Sequence, residues 1–347
     1  MGKITKYRVK NWKEYNSNLI QRGNFLRYFV EIPEEFKEVL TKKWFNKRKR
    51  KGKGKNFVYS DYAIEVILML SRLYHLPLRQ AQGFTETLFR NMGINLPIPS
   101  YTQICRRQKK LGIKIEKEVK KIKREMEEII KMGKELIIAI DASGLKVYGK
   151  GEWFKKTHPE NQSNRGEWKK IHIAVEPQTG LIYNVILTNS HVHDSQVYPR
   201  CIEELVKEGY SIDKAILDKA YDSNKLYKIS DFYGIQFIVP PRKNSAYYKS
   251  KLKNNPIYFR EAYYHKQKKR HLEFISEFGE ELWREMVGYN LRNRVESEFS
   301  RLKRYFTEKL SSKCIENQIT EIKTKIKLLN LMYQIAKCKV YKEITII

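Results

Sequence analysis

The segment Tyr289–Lys303 carries Tyr289, Arg292, Glu296 and Lys303 at spacings that a helix of about 3.6 residues per turn would gather into a sector about 60° wide. A carboxylate would then sit among cationic and phenolic groups. Glu298 would point to the opposite side, as a solvated or paired acid, and Val295, Phe299 and Leu302 form an adjoining apolar stripe suited to a core. Two more carboxylates follow short β-prone runs. Leu136–Asp141 reads LIIAID and Ala215–Asp218 reads AILD, so each strand is expected to end on an aspartate at the sheet edge, where a cation can reach it. Two strand-end aspartates and a helix-borne glutamate suit hard divalent ions, Mg²⁺ with Mn²⁺ as a substitute, because carboxylate oxygens match them and incomplete coordination leaves room for water and phosphate. Such a set serves phosphodiester cleavage, where two ions about 3.5–4 Å apart sharpen an attacking water or 3′-hydroxyl and neutralise the leaving 3′ oxygen. Asp141 would bridge both ions, Asp218 would hold one and Glu296 the other.

Other polar residues have ordinary readings. Asp222 precedes a helix and is expected to cap it, Asp194 opens the helix Ser195–Lys207, and Asp213 leads from a turn into a strand. His191 and His193 share a loop at a spacing that argues weakly for a metal pair, and His172 on an alternating strand reads as a core or sheet-face histidine. Trp283 reads as a core residue, with stacking on a displaced base as the alternative. No Walker, GxGxxG, GxSxG or HExxH stretch is present.

The elements that must position these groups belong to a strongly basic chain. Its 347 residues carry a formal net charge of +30, an excess that would repel itself in a compact fold and so points to a polyanionic partner, nucleic acid ahead of a membrane surface. The start MGKITKYRVKNWKEYN lacks a signal-peptide core, and no apolar run approaches the ~20 residues needed to span a bilayer, so a soluble intracellular protein is expected. Cys105, Cys201, Cys314 and Cys338 lack zinc-ligand spacing and read as reduced thiols.

Residues 1–59 read as a basic arm, with Lys42–Lys55 free of acids and Lys47, Arg48, Lys49 and Arg50 as its densest charge, placed to meet phosphates or simply solvated. Residues 60–133 read as a helical module and linker. Ser60 caps a first helix, Leu78–Met92 forms a second that stops at Gly93, and Ser100 caps Tyr101–Lys110, which carries Gln103, Arg106 and Arg107. Two helices and a short basic third match a helix-turn-helix pattern, with Gln103, Arg106 and Arg107 as candidate DNA contacts. Apolar residues from Ile115 to Ile129 step by 4 and 3, a short seam for pairing protomers or packing on its own domain. From 134 to 340 the pattern is strands at 136–141, 170–175, 181–187, 215–218 and 236–239, with helices at 194–207, 222–233 and 287–306. The turn Glu176–Gly180 makes the second and third strands a hairpin. This order is the plan of an RNase H-like α/β domain with a mixed five-stranded sheet, interrupted by an insertion at 241–286 whose basic residues and tyrosines suit phosphate contact and base stacking, or packing. The stripe Ile315, Ile319, Ile322, Ile326 and Leu329 is expected to close over the sheet as a last helix.

The chain resembles the DDE transposases of the insertion sequence 5 family, within the insertion sequence 4 group. The resemblance is carried by Tyr289, Arg292, Glu296 and Lys303 at the family's signature spacing, by Asp218-Lys219-Ala220-Tyr221-Asp222, and by Asp141-Ala142-Ser143-Gly144. Ala142 stands where the family often has a hydroxyl residue. The three acids lie 77 and 78 residues apart, and the likeness extends over roughly 7–335. It implies a prokaryotic, cytoplasmic, nucleoid-associated enzyme that binds the terminal inverted repeats of its own mobile element as double-stranded DNA. Such an enzyme cuts at the ends and joins the freed 3′-hydroxyls to target DNA, as a homodimer or larger assembly in the synaptic complex. It further implies that Lys303 and Arg292 contact phosphates near the scissile bond and that Tyr289 positions the DNA. A nuclease or resolvase on the same fold, or a transposase-derived DNA-binding regulator, are the alternatives.

Overall fold

The computed structural model describes residues 3–9, 11–30, 32–47, 57–111, 136–147, 168–242, 266–335 and 340–346. They form two compact units, one from Met1–Lys114 with Cys314–Ile347, the other from Ile115–Lys313. The seam expected at 115–129, the basic cluster Arg48–Arg50 and the tyrosine-rich part of the insertion at 243–265 lie outside the described residues.

The first unit opens with strand β1 (Lys3–Val9) and helices α1 (Trp12–Gln21), α2 (Phe36–Lys43), α3 (Asp61–Leu73), α4 (Leu78–Asn91) and α5 (Tyr101–Gln108). The expected caps are in place. Ser60 accepts from the amide of Ala63 at 3.1 Å, and Ser100 and Gln103 complete a capping box at the start of α5. α4 gives way to a turn at Gly93, whose φ of +65° favours glycine. The basic arm expected over 1–59 is in large part folded. Phe36, Leu40 and Trp44 recur at helical spacing and are buried with Ile64, Ile67, Phe89 and Ile104, and the Trp44 indole donates to the Pro97 carbonyl at 2.8 Å. Each such apolar side chain contributes about 1.5–3 kcal/mol on burial, which outweighs the tendency of a basic segment to stay solvated.

The second unit is mixed α/β. Its strands are β2 (Leu136–Val147), β3 (Trp168–Val175), β4 (Ile182–Asn189), β5 (Ile212–Leu217), β6 (Gln236–Ile238) and β7 (Lys309–Leu310). Its helices are α6 (Asp194–Lys207), α7 (Asn224–Phe232), α8 (Lys266–Phe278), α9 (Glu280–Met286) and α10 (Asn293–Phe306). The sheet order is β4-β3-β2-β5-β6, with β2, β3 and β4 an antiparallel meander and β5 and β6 parallel to β2. β7 adds a sixth, unforeseen strand beside the far end of β2. Strand β2 does not end at Asp141 as expected. It runs on to Val147, because Ala142–Lys146 keep a ladder partner in β3 after β5 has stopped.

The last described elements, α11 (Ile315–Ile335) and β8 (Val340–Ile346), return to the first unit, where β8 pairs antiparallel with β1. The expectation that α11 would cover the sheet is corrected. Besides its apolar stripe, the helix buries Thr320, Glu321, Thr324 and Lys325, of which Thr320 and Glu321 reach other elements of the first unit while Thr324 and Lys325 bond back to them along the helix. Glu321 pairs with Arg72 of α3 at 3.4 Å, Lys327 with Glu65 at 2.9 Å, and Thr320 donates to the Gln108 carbonyl at 2.9 Å. No helix among the described residues is long and apolar enough to cross a membrane.

Candidate active site

Strand register brings the two aspartates together. Ile140 pairs with Leu217 across the parallel β2–β5 ladder, so Asp141 and Asp218 occupy the next position on each strand and share one face of the sheet. That face is the one on which Ile216 and Ile238 pack with Trp283 and Tyr289. Each carboxylate is aimed by a local amide: Ala142 N–H donates to Asp141 at 2.8 Å, and Ala220 N–H donates to Asp218 at 2.6 Å. Asp218 thereby caps the short 3-10 turn Lys219–Tyr221.

The third carboxylate arrives on α10, but the expected single helix over 289–303 is broken. Gly288 adopts φ +71°, Tyr289–Arg292 form a 3-10 turn, and the α-helix starts at Asn293. Tyr289 sits in the apolar cluster beside Trp283, with the Arg284 guanidinium 4.9 Å from its ring centroid, and near enough to Arg292, Asp218 and Asp141 for their charges to act on its hydroxyl. Trp283 is a core residue.

Arg292 is the centre of the site. Its guanidinium bonds Glu296 at 2.7 Å and Asp141 at 3.1 Å, and lies 3.6 Å from Asp218. Burial pushes the Asp141 carboxyl above its ordinary range, opposed by the Ala142 amide and by Arg292 and reinforced by Asp218. Burial works to lower the Arg292 guanidinium, yet Asp141 and the bond to Glu296 carry it above its ordinary value.

Glu298, two residues on, faces the core with Val295, Phe299 and Leu302. It is the paired acid and not a solvated one: its side chain is 0 % exposed against 59 % for Glu296, with Arg294 at 3.1 Å and Arg301 at 4.0 Å. Burial drives its carboxyl up to about 7 against the pull of those arginines.

Among the described residues, no three His, Cys, Asp or Glu side chains close on a point as ligands of one metal ion, and the three acids are instead spread around a guanidinium. Their chemistry nonetheless fits a divalent cation, since all three donors are carboxylates that already share one positive centre.

The remaining candidates are dispersed. Lys303 is half-buried on α10. Gln103 is committed to the α5 capping box, and Arg106 and Lys47 are exposed. Arg107 is held inside its own unit by the Tyr59 carbonyl, by Asp61 at 2.5 Å and by the Phe57 ring. His172, paired with Ala142, lies on the opposite face of the sheet from Asp141, bonded to Thr188 at 2.9 Å and held down to about 4 by burial. Asp194 is itself the first helical residue and pairs with Lys170 at 3.1 Å.

Asp222 was expected to cap a helix, but Ser223 does so. Asp222 is buried and bonded to Lys268 at 2.6 Å and to the Arg242 amide at 3.0 Å. The serine beside it was the legible sign that another residue could cap; the partners, 20 and 46 residues downstream, left no local trace.

A model described as the transposase DDE domain matches residues 132–331, which include Asp141, Asp218, Arg292 and Glu296, and a second model of the same description matches residues 20–150. Among solved structures, the chain is similar to one described as a cryo-EM structure of a piggyBac transposase synaptic complex with hairpin DNA, at 13% identity and a TM-score of 0.39, over 91% of this chain and 74% of that one. A likeness at that level carries no argument about function. The first match alone spans more than half of the sequence, and the chain belongs to the transposase DDE domain family.

Proposed function

We propose that this DNA transposase binds the terminal inverted repeats of an insertion sequence and catalyses divalent-metal-dependent strand cleavage and transfer through Asp141, Asp218 and Glu296. The observation that carries the reading is the meeting of all three acids on the Arg292 guanidinium, within 2.7–3.6 Å. The motif Tyr289, Arg292, Glu296, Lys303 favours the insertion sequence 5 family. An RNase H-like fold is supported by the sheet order and by the two aspartates, one on β2 and one just past the end of the neighbouring parallel strand β5. A helix-turn-helix role for α3–α5 is supported by the exposed Arg106, while Arg107 is engaged internally and Gln103 caps α5.

Asp141, Asp218 and Glu296 would hold Mg²⁺ or Mn²⁺, which when bound activates the attacking hydroxyl and neutralises the leaving 3′ oxygen. The chain's own residues aim the carboxylates through the Ala142 and Ala220 amides and keep a cation among them through Arg292. Arg292, no longer needed by those oxygens in the loaded site, would meet a DNA phosphate, a geometry in which its fork outperforms a lysine. Lys303, on the same helix, supplies a second cation for the backbone. Synapsis of two element ends calls for at least a dimer.

The test is incubation of the purified protein, and of Asp218→Asn, with a labelled duplex bearing the repeats that flank its gene and a plasmid target in Mg²⁺ or Mn²⁺. Cleavage at the repeat end followed by joining, lost in Asp218→Asn while duplex binding survives, is the expected result. Cutting without joining would replace the reading by a nuclease, binding without cutting by a regulator, and unchanged cleavage by Asp218→Asn would remove the acid assignment.

A further inference from the structure

We infer that Arg242, Asp222 and Lys268 are positioning residues for Asp218, forming a clamp that fixes its carboxylate from within the insertion. The inference rests on the reading of Asp218 as a metal-holding carboxylate. Asp218 is aimed by the N–H of Ala220, and that N–H belongs to the same planar peptide as the Lys219 carbonyl. The Arg242 Nε–H donates to this carbonyl at 3.2 Å and its Nη2 donates to the next one, of Ala220, at 2.7 Å. Because the peptide is rigid, holding its oxygen fixes the direction of its N–H and with it the carboxylate.

Arg242 is itself located by Asp222. One oxygen of that buried carboxylate accepts the Arg242 backbone amide at 3.0 Å, and the other accepts the Lys268 ammonium at 2.6 Å. Both side chains of the Asp222–Lys268 pair are withdrawn from solvent, at 2 % and 7 % exposure, so the pair holds a single geometry where a surface pair would wander. Arg242 precedes residues 243–265 and Lys268 follows them, so the single carboxylate of Asp222 ties two separate parts of the insertion to the turn that carries Asp218.

The test is Mn²⁺ binding by the DNA-free full-length protein, followed by electron paramagnetic resonance of the free ion, alongside thermal unfolding and binding of the repeat duplex. Arg242→Ala removes an exposed side chain and should unfold as the parent does and bind duplex as well. Its Mn²⁺ affinity should fall about tenfold or more, the usual effect of losing an outer-shell partner. Asp222→Asn with Lys268→Met removes both buried charges together and should show the same weakening in a folded protein. Unchanged Mn²⁺ affinity in Arg242→Ala would overturn the clamp, as would weaker duplex binding with a flatter salt dependence in its place, which would make Arg242 a phosphate contact. Asp218→Asn is the separate control: Mn²⁺ binding equal to the parent's there would defeat the reading of Asp218 itself, whatever Arg242→Ala does.

Discussion

Glu296 and Glu298 leave one helix two residues apart and enter opposite charge balances. Around Arg292, three carboxylates share a guanidinium, and the outermost, Glu296, is open to solvent. Around Glu298, two guanidiniums attend a carboxylate sealed from solvent. The first arrangement is short of positive charge where a ligand can arrive. The second closes its balance inside the protein and locks α10 to the hairpin: Arg294 lies so near Gly180 that a Cβ added there would fall 2.3 Å from its Nη2. Identical side chains thus stay open to a ligand or close into the core according to the cations they meet and the water that reaches them.

The widest separation should come from Glu296→Gln. End cleavage is expected to fall on the order of a thousandfold, about 4 kcal/mol of transition-state stabilisation. Stability to denaturant should stay within about 0.5 kcal/mol of the parent, as for surface substitutions generally. A large loss of stability would erase the distinction between the two glutamates.

Glu298→Gln sharpens the comparison through pH. A folded-state pKa of about 7 lies above the ordinary value of 4.5, so the contribution of Glu298 to stability is complete below about pH 4.5 and fades as pH rises through 7. Glutamine does not titrate. Relative to Glu298→Gln, the parent should therefore lose on the order of 3 kcal/mol between pH 4.5 and 8 in urea unfolding. His172 and His271, both held down to about 4 by burial, act in the reverse sense but equally in the two proteins, so they cancel in the difference. Parallel pH curves would mean that Glu298 is charged throughout.

Gly180→Ala should have the smallest effect. The residue sits at φ +74° and its new methyl would displace Arg294, so a loss of about 1–2 kcal/mol is expected, with cleavage unchanged below the unfolding transition. Full stability in this variant would show that the Arg294–Glu298 contact contributes little to the lock.

Much of the second unit was legible because its signals are local. β-prone runs and the Glu176–Gly180 turn fix strands and hairpin within a few residues, and α6 spans Asp194–Lys207 as expected. Asp141, Asp218 and Glu296 could be singled out from type and context, and all three meet the Arg292 guanidinium. What could not be read were contacts made across long separations. Periodicity placed Glu298 outside the site but could not show that Arg294 and Arg301 would seal it in the core. The continuous helix expected through Tyr289 is not formed, because a 3-10 turn over Tyr289–Arg292 precedes α10. The apolar stripe of α11 was visible, but the polar partners that choose its neighbour, Arg72 and Glu65, lie in α3. In the first unit, Phe36, Leu40 and Trp44 had helical spacing all along, hidden by the basic residues between them.

The return of α11 to the first unit sets an order of events during translation. Roughly 240 residues separate α3 from the helix that packs on it, and every strand of the six-stranded sheet lies between them. At ~5–20 residues per second, α3 waits roughly 10–50 s for that partner, while the whole acid-bearing unit emerges from the ribosome. A nascent copy therefore releases the whole acid-bearing unit before its first unit can be complete, and the face of α3 that α11 covers must wait for the end of synthesis.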